Sequence, residues 1–196
     1  MMKVCFMACL TSMMCVSLPA QTQQAKMREV FAQAPDSIFA LLSTNNKLDL
    51  IDFAEAGMTA RVRNVLDEDV VLEVLTDDYM SLQSSADSWV EVKLLPTSHL
   101  LVNKTYSGPG LDSEVRLYDT QWTLLQVVPR PEIERFMTEQ DEDVRAEASV
   151  LPLISAKLSP DDCTIKWTLQ NTEMSKDVKQ KAGNCLQSVV EDCQTL

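Results

Sequence analysis

Four glycines and a single histidine, His99, are spread over 196 residues, and these two shortages remove several kinds of chemistry at once. With so little glycine, no loop brings successive backbone N–H groups onto a phosphate, and no Gly-x-Ser-x-Gly elbow presents a nucleophilic serine. Imidazole catalysis has one carrier, and His99 follows closely on Pro96 at the mouth of a strand, a place that suits a solvated or capping residue better than a general base. Zinc wants clustered cysteine and histidine, whereas the cysteines beyond residue 20, Cys163, Cys185 and Cys193, are scattered. Calcium needs only oxygens, and Asp67-Glu68-Asp69, Asp77-Asp78, Asp141-Glu142-Asp143 and Asp161-Asp162 supply some. None forms the Asp-x-Asp-x-Asp-Gly loop with a distal glutamate, so they read as solvated turns. No metal and no cofactor is expected.

Long apolar runs are also missing beyond the start of the chain. The apolar stretch Val4 to Leu18 is about 15 residues, short of the ~20 that span a bilayer. Lys3 precedes it, and Pro19-Ala20 separates it from Gln21-Thr22-Gln23-Gln24. That order is the pattern of a secretory signal peptide, residues 1–20, with Ala20 the last residue removed. Cys9 and Cys15 lack the approach favoured for lipid attachment, so a lipid-anchored form is the lesser reading. Seventeen basic residues against 29 acidic give a net charge of −12, and loss of Lys3 makes it one unit more negative. Nucleic acid and anionic membranes are poor partners for that balance. An exported, periplasmic or secreted chain meets oxidising conditions, where Cys163 can bridge to Cys185 or to Cys193. If residues 178–193 are helical, Cys185 and Cys193 stand about 12 Å apart along the axis and cannot bond each other. Three buried free thiols are the other reading.

Hydrophobic periodicity organises residues 21–196 as a single α+β domain. Residues 21–58 are expected to be helical: one helix on Met27, Val30, Phe31 and Ala34, a second on Ile38, Leu41 and Leu42, and a third on Leu50, Phe53 and Ala54. Asn45 or Asn46 would cap the third and Gly57 would end it. From residue 59 to 128 the period falls to two, predicting a curved antiparallel meander. Its segments are Thr59 to Leu66, Val70 to Leu75 continuing through Tyr79 to Ser84 past a bulge at Asp77-Asp78, then Trp89 to Leu94, His99 to Tyr106, Ser113 to Tyr118 and Trp122 to Val128. The N-terminal helices have the stripes to cover one face of it. Residues 129–148 read as a short helix and a solvated acidic excursion with Glu139, Asp141, Glu142 and Asp143. Residues 149–196 read as two strands, Val150 to Leu158 and Cys163 to Gln170, and an amphipathic C-terminal helix with Val178, Ala182, Cys185, Leu186, Val189, Val190 and Cys193 on one stripe.

The scaffold is therefore complete while the usual catalytic side chains are scarce. That combination favours an exported binding or interaction protein without catalysis, taking an unknown protein or a small apolar ligand. The loops with Asp77, Asp78 and Tyr79 and with Ser107 and Asp112 are the candidate contact residues, because function concentrates on loops held by rigid sheets. Two rivals remain. A carrier of lipid or another apolar ligand requires an apolar cavity of at least ~300 Å³ between helices and sheet. A carboxylate-dependent hydrolase requires two acids facing each other in a cleft. Tyr79, Trp89, Tyr106, Tyr118 and Trp122 suit sheet packing better than a sugar platform. Asn103-Lys104-Thr105 fits an N-glycosylation sequon, and Asp36-Ser37-Ile38 an O-glycosylation triplet.

Several stretches together carry a family likeness. They are Met27-Arg28-Glu29-Val30-Phe31 with Pro35-Asp36-Ser37, Asn46-Lys47-Leu48-Asp49-Leu50-Ile51-Asp52-Phe53, Leu75-Thr76-Asp77-Asp78-Tyr79, Lys93-Leu94-Leu95-Pro96, and Gly108-Pro109 through Asp112-Ser113 to Tyr118 and Trp122. In these the chain resembles domain-of-unknown-function family 3256, exported proteins of anaerobic Gram-negative gut and oral bacteria. The resemblance implies export from a bacterium and no particular activity. It also implies cysteines near the positions held here by Ser107 and Leu111, a bridge this chain would lack.

Overall fold

The computed structural model describes residues 26–138 and 141–193. The expected signal segment and Glu139 lie outside them. Seven strands follow one another as an antiparallel meander in chain order: β1 (Arg61–Arg63), β2 (Asp69–Leu75), β3 (Tyr79–Ser85), β4 (Ser88–Leu94), β5 (His99–Ser107), β6 (Leu111–Asp119) and β7 (Leu124–Val127). The links between them are a few residues long, so each strand has only its predecessor's flank to pair with. β3 does not continue β2. Residues 76–78 reverse the chain, with the Thr76 hydroxyl accepting the Tyr79 N–H at 3.0 Å, and Leu75 pairs with Met80 across the turn. The irregularity lies a few residues earlier, within β2, where Glu73 is the extra residue between the Leu72 and Val74 pairings.

Alternation splits the strands into two faces. Val70, Leu72, Met80, Leu82, Val90, Val92, Leu100 and Val102 form one core with Met27, Val30 and Phe31 of α1 (Met27–Ala32) and with Leu50 and Ile51 of α2 (Thr44–Glu55). Ser43 caps α2, its hydroxyl accepting the Asn46 N–H at 3.1 Å, in place of the expected asparagines. Gly57 takes the left-handed conformation, φ 68°, just past the helix. Residues 36–41 form turns where a helix was expected. Ile38, Phe39 and Leu42 are nevertheless buried, because the stretch after Pro35 is too short to pay for a helical nucleus and packs its side chains directly. Trp122 also departs from its expected strand: it sits at φ 65° ahead of β7 and turns its indole into this core, the ring N–H donating to the Val30 carbonyl at 3.3 Å.

The second face is covered as well. A three-stranded antiparallel sheet, β8 (Ile154–Leu158), β9 (Thr164–Leu169) and β10 (Val189–Asp192), runs in the order β10-β9-β8. It buries Ile154, Ala156, Leu158, Ile165 and Trp167 against Leu95, Leu101, Val115 and Leu117. Two expectations are corrected here. The acidic stretch is the start of α3 (Glu142–Val150), not a solvated excursion. The Asp141 side chain accepts the N–H groups of Asp143 and Val144, Glu142 and Asp143 sit in the first turn, where acids suit the helix dipole, and Val144 and Ala148 are buried. The C-terminal stripe also breaks. α4 (Lys176–Cys185) ends at Cys185, and the β-branched Val189 and Val190 pair as β10 along the free edge of β9.

Gly110, at the β5–β6 turn, sits close against Leu153, Gln170 and Thr172 beside the small sheet. A Cβ there would collide with the Thr172 hydroxyl and lie 3.1 Å from Leu153 Cδ1. Gly110→Ala is expected to cost on the order of 1–3 kcal/mol, as overpacking does. Urea denaturation checks this, and Thr172→Ala in the same chain is expected to recover most of the loss.

Candidate functional site

Along one edge of a strand, the N–H groups of alternate residues point the same way. One edge of β8 pairs with β9, and its other edge, which has no strand partner, lies against side chains of the main sheet. The N–H groups of Ile154, Ala156 and Leu158 donate to Asp112 Oδ1 at 3.1 Å, Ser113 Oγ at 2.9 Å and Glu91 Oε2 at 3.1 Å. The Ala156 carbonyl accepts Asn103 Nδ2 at 2.8 Å. Glu91 is the hub. Its Oε1 accepts the Tyr79 hydroxyl at 2.7 Å, and its Oε2 also accepts Asn103 Nδ2 at 2.9 Å. The amide nitrogen of Asn103 faces the oxygens of Glu91, Ala156 and Thr105, which fixes which way the amide points. Beside this row Lys93, only 4% exposed at its side chain, pairs with Asp78 at 2.9 Å and donates to the Pro160 carbonyl at 2.8 Å.

β8 lies over β4, β5 and β6. Toward β2 and β3 a cleft of about 470 Å³ opens between the sheets. Glu73, Ser81, Trp89 and Thr105 line its main-sheet side, with Glu91 at the floor, and Ser155, Lys157, Lys166 and Thr168 line the wall on the small sheet. Lys157 and Lys166 are directly paired across β8 and β9. Both are exposed, and neither ammonium group makes a hydrogen bond or ion pair among the described residues. A second groove, of about 330 Å³, lies on the helix side between residues 38–42 and the strand ends, with Trp89, Val90 and Tyr106 in its wall. Trp89 thus borders both openings, whereas Tyr79, Tyr118 and Trp122 are buried in the cores.

The five expected contact residues do not meet. Turns of a meander alternate between its ends, so the β2–β3 turn with Asp77 and Asp78 and the β5–β6 hairpin with Ser107 and Asp112 lie at opposite ends. Each of the charged or phenolic ones is tied into the scaffold. Asp77 reaches Lys26 at 3.4 Å, Asp78 holds Lys93, Tyr79 is buried on Glu91, and Asp112 takes a two-pronged bond from Arg130, 2.9 Å on each oxygen. Ser107 stands opposite Leu111 in register. Of the residues that line the cleft, Trp89 is among the aromatics whose strand setting suits sheet packing better than a sugar platform, while Lys157 and Lys166 carried only the signal of polar positions alternating with core ones. Asn103 is 1% exposed with its amide nitrogen engaged, so the folded chain offers no glycosylation acceptor there. Among the described residues no three His, Cys, Asp or Glu side chains converge on a metal position, and no helix is long and apolar enough to cross a membrane.

Of the thiols, Cys163 and Cys193 are neighbours. The register of β9 and β10 sets them opposite each other, with the Cys193 N–H on the Cys163 carbonyl at 2.8 Å. Burial, then the neighbouring Cys163, pushes the Cys193 thiol up to about 12. Cys185 ends α4, where its carbonyl accepts the Thr138 N–H at 2.7 Å. Tyr79 is likewise pushed above the ordinary phenol value, by burial first and then by the charge and hydrogen bond of Glu91.

A family model described as "Protein of unknown function (DUF3256)" matches residues 19–191. The solved structure of a domain of an uncharacterized protein from Porphyromonas gingivalis W83 matches with a TM-score of 0.70 at 23% identity, covering 85% of this chain and 94% of that one. That likeness shows the fold. No curated protein matches the chain.

Glu91→Ala is expected to strand the Tyr79 hydroxyl, the Asn103 amide and the Leu158 N–H, and to cost on the order of 3–5 kcal/mol in urea denaturation. An unchanged midpoint would show that the hub does not hold β8. Alkaline pH gives a second readout. Tyr79 and Cys193 hold their protons more tightly folded than unfolded, so their contribution is complete below the ordinary values of about 9 to 10 and is lost as pH rises toward the folded ones. The reduced protein is expected to lose stability from about pH 9 up to about pH 12. Tyr79→Phe should flatten the tyrosine share of that slope, measured by urea melts across the range.

Proposed function

The chain belongs to the DUF3256 family of proteins of unknown function, and from that premise we propose that it is an exported, non-catalytic binding protein whose ligand sits in the cleft between the two sheets. One observation carries this reading: the cleft is open, while the buried carboxylate at its floor is already occupied. A general base or nucleophile must offer a lone pair to water or substrate. Each oxygen of Glu91 instead accepts from fixed donors, Tyr79 on one and Asn103 and Leu158 on the other. Glu73 and Glu91 do line the same cleft, as a hydrolase with paired carboxylates would require, but Glu91 is committed to holding β8. The groove of about 330 Å³ near Phe39 and Trp89 supports the apolar-carrier alternative by size. Ser84, Ser85, Ser88, Glu68 and Lys104 share its lining and weaken that alternative by polarity.

Export rests on the Val4 to Leu18 run with Pro19-Ala20, and the facing pair Cys163 and Cys193 fits it. In an oxidising compartment these two form the bridge and Cys185 stays free. The bridge closes a loop of about thirty residues, worth on the order of 3–4 kcal/mol.

Native mass spectrometry of protein purified from the extracytoplasmic fraction of its own cell tests all of this. The expected species begins at Gln21, carries one Cys163–Cys193 bridge and retains a small molecule that Thr168→Trp, filling the cleft, displaces. A chain beginning at Met1 and recovered from the cytosol overturns export. Ligand retained by Thr168→Trp but lost in Ser88→Trp moves the seat to the helix-side groove and favours the carrier.

A further inference from the structure

In this acidic chain most cations have an acid beside them. Lys26, Arg28, Arg61, Arg63, Lys93, Arg116, Arg130, Arg135 and Lys181 all stand in ion pairs. Among the described residues Lys47, Lys104, Arg145, Lys157, Lys166, Lys176 and Lys179 stand in none, with Lys47, Lys104 and Lys179 donating to backbone carbonyls, and of these Lys157 and Lys166 are set directly against each other. They face each other across β8 and β9, an arrangement that like charges make unfavourable, and no carboxylate relieves it among the described residues despite 29 acids in the sequence. They also form one wall of the cleft, with the hydroxyls of Ser155 and Thr168 along the same strands.

The opposite side has complementary chemistry. Glu73, exposed, accepts the Ser81 hydroxyl at 2.9 Å and keeps acceptor capacity toward the cleft, and Trp89 lies next to it. The cleft therefore offers two cations on one wall, a carboxylate acceptor on the other, hydroxyls on both and an indole between. A ligand that satisfies all of these carries an anionic group, several hydroxyl donors and a ring face, within a volume fit for one or two sugar units.

We propose that the cleft binds an acidic saccharide, its carboxylate or phosphate held between Lys157 and Lys166 and its hydroxyls donated to Glu73. This rests on the cleft being the ligand seat and goes further by naming the ligand's chemistry. Both lysines are solvent-exposed, so their replacement leaves the core intact, and relief of the like-charge contact is expected to keep the melting temperature of Lys157→Gln/Lys166→Gln at or above that of the parent.

The test is NMR titration of the full mature chain with D-glucuronate, glucose 6-phosphate and glucose in low salt. Glucuronate and glucose 6-phosphate separate a carboxylate from a phosphate source, and glucose removes the anion while keeping the ring. The expected result is a shift of the Trp89 indole N–H and of amides near Lys157 and Lys166 with one or both anionic sugars. The affinity should fall at least tenfold for glucose and for the double lysine variant. Equal binding of glucose and the anionic sugars, or unaltered binding by the double variant, overturns the anionic ligand while leaving the cleft as the seat. Absence of any shift with all three sugars overturns the saccharide. Loss of the co-purifying ligand's dependence on Thr168→Trp would instead remove the cleft itself.

Discussion

The structure turns on one strand edge. β8 has hydrogen-bonding groups on both sides, and β9 satisfies only one of them. Packing the other side on an apolar sheet face would leave Ile154, Ala156 and Leu158 N–H groups buried without acceptors, at a cost of about 1–3 kcal/mol each. The meander answers with side chains, Asp112, Ser113 and Glu91 supplying acceptors and Asn103 supplying the donor for the Ala156 carbonyl. The spacing of these four in the sheet fixes both the height and the direction of β8. Everything that follows, β9, β10 and the helix α4 between them, hangs from that docking.

This explains why the meander was legible and the second sheet was not. Strict alternation from residue 59 onward marks strands whatever lies on their polar side, and the short links dictate neighbour pairing. Glu91, Lys93, Asn103 and Thr105, however, have the composition of a solvent face, and nothing local distinguishes a polar row facing water from one facing a strand edge. One covered face was expected and two are found. The acidic start of α3 misleads for a similar reason. Asp141, Glu142 and Asp143 are as suitable for a helix N-terminus as for a solvated loop, and only Val144 and Ala148 argue for burial. At the C-terminus, Val178, Ala182, Cys185 and Val189 fit a helical stripe, but the free edge of β9 captures the β-branched pair, so tertiary pairing overrides local period.

The candidate contact loops were legible as turns but not as a site. Their separation follows from counting: three strands, β3 to β5, run between the Asp77-Asp78 turn and the Ser107 to Asp112 hairpin, so they fall at opposite ends. Their acids serve the scaffold, pairing with Lys26, Lys93 and Arg130. The cleft depends on the angle between two sheets, which no segment encodes alone. Trp89, Lys157 and Lys166 come together only after β8 has docked.

The same docking constrains what the cleft can do. Glu91, at the floor, is held by Tyr79 and Asn103 and cannot reorganise without releasing β8. A floor held that firmly is nonetheless an advantage for recognition, because less conformational freedom is lost when a ligand binds. The free capacity lies in the walls, in the Glu73 carboxylate and the two unpaired ammonium groups. Fixed floor and unsatisfied walls together suit the cleft to holding a polar molecule still, which is the binding role proposed for it.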